Sequence, residues 1–327
     1  MDDTSRFYTP PIPNGWFQVA FADELTPGTV KPLKYFGKDL VIFRTESGEV
    51  SLLDAFCPHM GAHLGHGGKV KGENIECPFH AWEFNTDGRC VEIPYAKHIP
   101  RKACVDKWTI KEVGGLVMAW HHAEGKAPEW DIPDEIPEWG TKDGTRNDAW
   151  TDYESHDWVI KTRNQEMAEN AVDSAHFHYV HGTTNMPQSE ATVDGPVLRV
   201  FSGAGMETPR GRVDGSIESL SYGFGLAIVR FNGIVETLNV ATTTPIDADH
   251  VHARFNFSVK KIGGAEKRVG KAFVAEVTRQ LTEDIPIWEN KVQHENPMLC
   301  DGDGPIGLFR RWCKQFYSSP AERQAAE

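Results

Sequence analysis

The chain of 327 residues lacks any run of about 18 consecutive apolar residues, so it offers no candidate for a membrane-spanning helix. It is also short of positive charge, because 34 Lys and Arg stand against 47 Asp and Glu. The resulting net charge of −13 argues against a nucleic-acid-binding protein that neutralises phosphates. Its first residues have neither the basic nor the apolar segment of a secretion signal, which predicts a cytoplasmic protein.

Cysteine is also scarce, whereas histidine is abundant. Six cysteines are too few and too scattered for the disulfide scaffold of a chain this long. The hydrophobic share of 39% and the charged share of 25% are those of an ordinary globular protein. Half of the 14 histidines lie in two short windows, which predicts that these windows carry the chemistry.

Local patterns predict a β-rich first third and a mixed remainder. A Pro- and acid-rich stretch over 127–139 reads as a connector, because prolines at internal positions exclude a regular helix or a central strand. After it, the residue types predict a helix over 158–181 and alternating β-strands over about 193–260. Apolar residues at helical spacing predict a last helix from about Ala265 to Trp288.

The first histidine window pairs each of two cysteines with a histidine, as Cys57-Pro-His59 and Cys77-Pro-Phe-His80. Two loops of this kind can present two thiolates to one iron and two imidazoles to a second iron, which is the ligand set of a Rieske [2Fe–2S] cluster. A structural zinc site is the alternative. Zinc motifs usually place two cysteines in one loop and two histidines in the other, so the spacing favours the cluster.

Two further features narrow the kind of Rieske protein. Respiratory Rieske proteins carry an additional cysteine in each loop, but the corresponding positions here are Ala62 and Phe79. A Rieske ferredoxin would need only about the first 120 residues. The remaining residues therefore predict a second domain with its own function.

The second histidine window follows Glu169 and combines Asp173 with His176, His178 and His181. Two imidazoles and one carboxylate form the facial triad of non-haem Fe(II) oxygenases. His176 and His181 are five residues apart, so they share a site only where the helix ends or bends, and Gly182 favours such an end. Helical geometry by itself leaves His178 open as a ligand.

The third ligand of such a triad is expected from a distant carboxylate in the last predicted helix. Asp284 continues the apolar face on which Leu281 lies, whereas Glu283 falls on the polar side. A carboxylate that points into an apolar interior must be paired or bind a metal ion. We therefore predict Asp284 as the ligand and Glu283 as an exposed acid.

The run Asn170-x-x-Asp173-x-x-His176-x₄-His181 resembles the mononuclear-iron motif of the Rieske non-haem iron oxygenase α subunits. The resemblance implies that His176 and His181 bind the iron. It also implies that Asp173 bridges His80 of one subunit to His176 of its neighbour, which couples the two metal centres and predicts a homotrimer. Within this family, the sterol-acting branch around 3-ketosteroid 9α-hydroxylase is the most similar. The stretches that carry this similarity are 53–61, 93–96, 284–291 and 296–317.

The resemblance implies an α+β protein with an all-β Rieske [2Fe–2S] domain over 14–125 and a catalytic domain over 126–327. The second domain is expected to be helix-grip-like, with an antiparallel sheet, covering helices and one mononuclear Fe(II). The expected activity is hydroxylation of a hydrophobic, steroid-like substrate with O₂. The resemblance also implies that electrons come from NAD(P)H through a separate flavin and iron–sulfur reductase.

Alternatives remain open at this point. The same machinery could desaturate, demethylate or dihydroxylate a substrate or hydroxylate an aromatic one, and a non-catalytic electron carrier or redox sensor is a rival of another class. Apolar side chains in the second β region are candidates for the walls of the substrate pocket, with core packing expected for at least half of them. They are Phe224, Leu226, Ile228, Phe231, Ile234 and Leu238.

Overall fold

A computed structural model of the protein describes residues 6–142, 144–183, 189–208, 211–233 and 235–318. By its internal contacts the chain divides into an N-terminal unit, Gln18–His121, and a C-terminal unit made of the described parts of Met1–Phe17 and His122–Glu327. Among the helices of the described residues, none combines the length and the hydrophobicity of a transmembrane span.

Small antiparallel sheets build the N-terminal unit. Its central strands are short apolar runs, and Leu40–Phe43 is completely buried. The strands are β1 (Gly15–Phe21), β2 (Val30–Tyr35), β3 (Lys38–Arg44), β4 (Val50–Asp54), β5 (Lys69–Lys71), β6 (Asn74–Glu76), β7 (Glu83–Phe84), β8 (Cys90–Glu92), β9 (Ile110–Val113) and β10 (Leu116–His121). They pair in the orders β1-β10-β9, β2-β3-β4 and β5-β6-β7-β8. The β-rich first third predicted from the sequence is therefore confirmed.

One seven-stranded antiparallel sheet forms the centre of the C-terminal unit, in the order β11-β17-β16-β15-β14-β13-β12. Its strands are β11 (Glu154–Ile160), β12 (Ser189–Asp194), β13 (Val197–Thr208), β14 (Gly211–Tyr222), β15 (Leu226–Asn232), β16 (Thr237–Pro245) and β17 (Val251–Val259). Strand β11, the first in the chain, pairs with the last strand, β17, while the others follow as hairpins. The sheet therefore joins both ends of the unit's β region.

In the described part of this unit, four α-helices accompany the sheet: α1 (Asn164–Glu169), α2 (Ser174–Tyr179), α3 (Val269–Asn290) and α4 (Ile306–Cys313). The prediction of one helix over 158–181 is wrong in two respects. Trp158–Ile160 belongs to β11, and the helix is interrupted because the Asp173 side chain accepts hydrogen bonds from two backbone amides and starts α2. The last predicted helix is confirmed as α3, preceded by a 3₁₀ turn at Ala265–Lys267.

Helix α3 packs along one face of the sheet. Val274 contacts Phe257 and Val259 near the start of the helix. Leu281 and Trp288 pack with Val251 in the second half, at a helical spacing from Val274. The result is an antiparallel sheet covered by helices, and together with the all-β N-terminal unit it confirms the predicted α+β class.

The connector predicted over 127–139 contains no helix and no extended strand, all of its residues being described. It packs against other segments of the C-terminal unit. Trp130 accepts a hydrogen bond from the Trp16 indole through its carbonyl, at 3.0 Å, and Glu138 pairs with Arg230 of β15. Proline thus prevents regular structure here, while specific contacts fix the path of the chain.

Candidate metal centres

The two cysteine–histidine loops of the N-terminal unit share one backbone pattern. In the first, the Cys57 amide donates to the Ala62 carbonyl at 2.9 Å and the Gly61 amide to the Cys57 carbonyl at 3.0 Å. In the second, Cys77 donates to Trp82 at 2.8 Å and Ala81 to Cys77 at 3.1 Å, at the same sequence offsets.

The fourth residue after each cysteine has a positive φ, +75° at Gly61 and +54° at Ala81. Glycine adopts this conformation without strain, whereas alanine does not. The repeat of this turn gives the two loops the same shape although only one of them contains the glycine.

The loops bring their four predicted ligands together. Cys57 and Cys77 are each 2% exposed, and the rings of His59 and His80 lie 4.7 Å apart. Trp82 stacks on His59 at 4.6 Å between ring centroids. Two cysteines and two histidines, converging from two loops, are the donor set of a Rieske cluster.

Electrostatics in the loops also fits a bound cluster. Burial, with the neighbouring Cys77 thiol, raises the pKa of the Cys57 thiol to about 11. Two adjacent buried thiolates therefore need cations beside them, which the irons of a cluster supply. The residues present fit the group.

The second centre begins at Asp173, whose carboxylate caps α2. Its Oδ1 accepts hydrogen bonds from the amides of Ala175 at 3.1 Å and His176 at 3.3 Å. Helix α2 ends at Tyr179, and Gly182 follows with φ +69°. Because the helix ends before His181, that residue is freed from the helical repeat and its ring lies 5.2 Å from the ring of His176.

Asp284 of α3 completes the predicted triad. Ligand atoms of His176, His181 and Asp284 all lie within 4.8 Å of one another, and Asp284 Oδ1 is 3.4 Å from His181 Nε2. Burial raises the pKa of the Asp284 carboxyl to about 6, since the residue is 6% exposed. A buried carboxylate facing two imidazoles fits a divalent metal ion.

Hydrogen bonds fix the tautomers of both histidines. The His176 ring bonds through Nδ1 to the carbonyl of Asp173, and the His181 ring through Nδ1 to Glu283 Oε2 at 3.2 Å. Carbonyl and carboxylate oxygens only accept, so each Nδ1 carries the proton and each Nε2 keeps a lone pair for a metal. Burial lowers the pKa of His176, which favours the neutral ring that metal binding needs.

The remaining polar residues of the window have different positions. His178 bonds through Nδ1 to the Thr183 carbonyl, beyond the helix end, and is not in the triad cluster. Asn170 donates from Nδ2 to Asp284 Oδ2 at 3.0 Å and so holds the carboxylate. The Glu283 side chain, predicted as an exposed acid, is 36% exposed and contacts His181, which the sequence does not indicate because it shows only which helix face Glu283 occupies.

A buried ionic cluster holds α1, the helix that precedes Asn170 and Asp173. Glu169 accepts two hydrogen bonds from Arg310 of α4, one of them at 2.8 Å, and Glu166 lies 2.7 Å from Lys291 Nζ. Glu166 is fully buried and Glu169 nearly so. The cluster ties the helix before the iron motif to two later segments of the chain, so it sets the position from which Asn170 and Asp173 project.

Strand register decides which side chains face α3. Phe257 of β17 contacts the helix, and in register beside it lie Asn239 of β16 and then Val229 of β15. Alternate residues on these strands therefore form a helix-facing surface. On it, Val229 and Phe231 are half-buried, whereas their neighbour Ile228 on the opposite face is buried. Within the described part of the chain, Asn239 Oδ1 is buried without a hydrogen-bond donor.

This register sorts the candidate pocket walls into two groups. Leu226, Ile228 and Leu238 alternate with the helix-facing residues and lie buried on the opposite face. Phe224 packs into a core with Trp312. Of the predicted walls, Phe231 faces the helix, and Ile234 lies outside the described residues. The sequence alone could not make this division, because a run of apolar residues does not reveal which of its alternate members faces the helices.

Comparison with known proteins covers both units. The family model of the Rieske [2Fe-2S] domain matches residues 15–108, and that of the 3-ketosteroid 9alpha-hydroxylase C-terminal domain matches residues 119–317. The oxygenase component of 3-ketosteroid-9-alpha-monooxygenase from Rhodococcus rhodochrous is 32% identical, over 93% of this chain and 83% of the relative.

Two further proteins extend the comparison. Cholesterol 7-desaturase nvd 1 of Ciona intestinalis is 33% identical, over 96% of this chain and 71% of the relative. Among solved structures, dicamba monooxygenase bound to dicamba superposes with a TM-score of 0.73 at 18% identity, over 96% of this chain and 98% of that one. At that identity the superposition shows a shared fold alone.

Proposed function

Because the chain belongs to the Rieske non-haem iron oxygenases, in the family that shares the 3-ketosteroid 9α-hydroxylase C-terminal domain, we propose that it hydroxylates a steroid-like substrate as the terminal oxygenase of a multicomponent monooxygenase. Its cofactors are a Rieske [2Fe–2S] cluster and a mononuclear iron. Membership in this enzyme family replaces the rival interpretation of a non-catalytic electron carrier.

The observation that carries the proposal is the triad of His176, His181 and Asp284 in a chain that also has Rieske loops. When bound, the two metal centres supply single-electron transfer and dioxygen activation. The chain's own residues prepare the second centre: two Nδ1 hydrogen bonds leave both Nε2 atoms free, and Asn170 orients the carboxylate. Cys57 and Cys77, with His59 and His80, are proposed to hold the cluster.

The helix-facing sheet surface supports an apolar substrate. Val229 and Phe231 supply apolar surface that is not fully packed, and Asn239 places one polar atom among them. Such a surface suits a rigid hydrophobic molecule whose hydroxyl group donates a hydrogen bond to Asn239 Oδ1. The names of the relatives, a ketosteroid monooxygenase and a cholesterol desaturase, agree with a sterol or ketosteroid.

Assembly into a homotrimer is the second part of the proposal. Around the cluster ligands, Met60, Phe79 and Tyr95 are 65%, 58% and 62% exposed, so the histidine side of the loops has an apolar rim. Large exposed apolar side chains that cluster mark an interaction site. In the trimer, the Asp173 carboxylate would accept a hydrogen bond from His80 of the neighbouring subunit, while Asp173 contacts His176 of its own subunit through its backbone carbonyl.

A reductase partner, the domain division and the compartment belong to the same proposal. A separate NAD(P)H-dependent flavin and iron–sulfur reductase supplies the electrons, as the name oxygenase component implies for the relatives. The domain division is proposed as 14–125 for electron delivery and 126–327 for catalysis. None of the six cysteines forms a disulfide, Cys57 and Cys77 being the proposed cluster ligands, which supports a reducing compartment such as the cytoplasm.

The test is turnover with a Rieske-oxygenase reductase, NADH and a panel of sterols and ketosteroids under ¹⁸O₂. A product with one added ¹⁸O atom supports the monooxygenase, and Asp284→Ala serves as the inactive control that keeps the cluster spectrum. Loss of two hydrogens without added oxygen would replace it with the desaturase, the second candidate, which the Ciona intestinalis relative favours. Iron analysis should give about three irons per chain, two from the cluster and one from the triad.

A further inference from the structure

Glu283 occupies a position that the triad alone does not explain. Its Oε2 lies 3.2 Å from His181 Nδ1, while the neighbouring residue, Asp284, faces Nε2 of the same ring at 3.4 Å. Successive residues on a helix point about 100° apart, so one short stretch of α3 contacts both nitrogens of one imidazole. A surface acid would be free to rotate, but this one is held.

What holds Glu283 is Arg279, one turn earlier on α3. The guanidinium bonds to Glu283 Oε1 and also forms two bonds to Glu276, at 3.0 and 2.6 Å. These spacings of three and four residues place the three side chains on one helix face. The two oxygens of Glu283 are thereby divided between Arg279 and His181.

We propose that Glu283 is a positioning residue that fixes the tautomer and orientation of His181 for metal binding, with Arg279 holding Glu283 in place. This inference rests on the proposed function, because it takes the triad as the metal site. His181 reaches the site from the segment after α2, where the helix no longer fixes its direction. A carboxylate that accepts from Nδ1 both orients such a ring and makes its Nε2 a stronger donor.

The two histidines are therefore held differently. His176 lies within α2 and donates to a carbonyl of its own turn, the Asp173 carbonyl. His181 depends on a carboxylate 102 residues further along the chain. Removing that carboxylate should weaken metal binding through His181 without disturbing the fold of α3, since Glu283 is on its exposed side.

The experiment measures metal affinity, not turnover. Protein with an intact Rieske cluster is stripped of mononuclear iron by a chelator and titrated with Co²⁺, whose visible absorption reports binding at the triad. Glu283→Ala should raise the dissociation constant by about 10- to 100-fold. Glu283→Gln keeps an oxygen acceptor, so its loss should be smaller, and Arg279→Ala should lie between the wild type and Glu283→Ala.

Two controls separate this inference from the proposed function. Glu295→Gln changes the same charge at an exposed residue beyond α3 and should bind Co²⁺ like the wild type. Asp284→Ala should not bind it. Wild-type affinity in Glu283→Ala, with binding lost in Asp284→Ala, would overturn the positioning role and leave the metal site standing. Equal binding by the wild type and Asp284→Ala would overturn the metal site itself, and the positioning role with it.

Discussion

Replacing the predicted ligand Asp284 by asparagine should stabilise the metal-free protein. Its carboxyl is buried against His181, and its pKa lies near 6 instead of 3.8 because charged oxygen is poorly solvated there. A tenfold change in an acid constant is worth about 1.4 kcal/mol. Raising the pKa from 3.8 to about 6 therefore lowers folded stability by about 3 kcal/mol once the group is ionised in both states.

The sign of the pH dependence follows from the raised pKa. Well below pH 3.8 the carboxyl is neutral in both the folded and the unfolded state, so it does not lower the free energy of unfolding. The loss of folded stability grows as the pH rises and reaches its full value above about pH 6. About half of this loss is present at pH 5. Asp284→Asn removes the charge, and the new amide can still accept from Asn170 and donate to His181 Nε2.

Calorimetry of protein stripped of mononuclear iron, with the Rieske cluster retained, tests this reasoning. At pH 8, Asp284→Asn should melt on the order of 6–12 °C above the wild type, and the difference should shrink at pH 5. Adding Co²⁺ should stabilise the wild type and leave the variant unchanged, because only the wild type keeps the carboxylate ligand. The exposed Asp301→Asn is the matched control. A variant less stable than the wild type at pH 8, or a difference independent of pH, would refute the account.

Three further predictions concern other parts of the chain. Arg310→Met leaves Glu169 buried without its main partner, so chemical denaturation should show a loss of about 3–5 kcal/mol; a loss below 1 kcal/mol would contradict the buried pair. Ala81→Gly relieves a positive φ at the position where the other loop has Gly61, so it should raise stability by about 0.5–1 kcal/mol with an unchanged cluster spectrum. Asn239→Leu should raise KM at least tenfold for a hydroxylated sterol and much less for its deoxy analogue; equal effects on both would exclude a hydrogen bond to substrate.

The sequence was most informative where ligand type and spacing carried the signal. Paired Cys and His in two loops indicate a cluster irrespective of the surrounding fold, and the periodicity of α3 was sufficient to choose Asp284 over Glu283 as the buried acid. Both inferences need only local rules. The antiparallel sheet and its covering helices required the family resemblance in addition, since periodicity does not specify strand order.

The missed features depend on contacts between distant residues. Nothing near Glu283 in the sequence shows that His181 will approach it, because the contact spans 102 residues. The break between α1 and α2 was missed because Asp173, read as a bridging acid, also caps a helix. The Asp173 carboxylate accepts hydrogen bonds from backbone amides, and the His176 ring bonds to the Asp173 backbone carbonyl and not to the carboxylate. Local composition cannot distinguish these uses of one side chain.

The two-residue alternation of the central sheet also has a consequence for how this enzyme can change over time. Val229 and Phe231 face the helices and are half-buried, whereas their neighbour Ile228 is buried on the opposite face. Substitutions at these two half-buried positions alter the shape offered to a substrate and cost little packing energy, whereas those at Ile228, or at the helix-facing but fully buried Phe257, leave cavities. Selection can therefore explore new substrates at the half-buried positions while the fully buried ones preserve the fold.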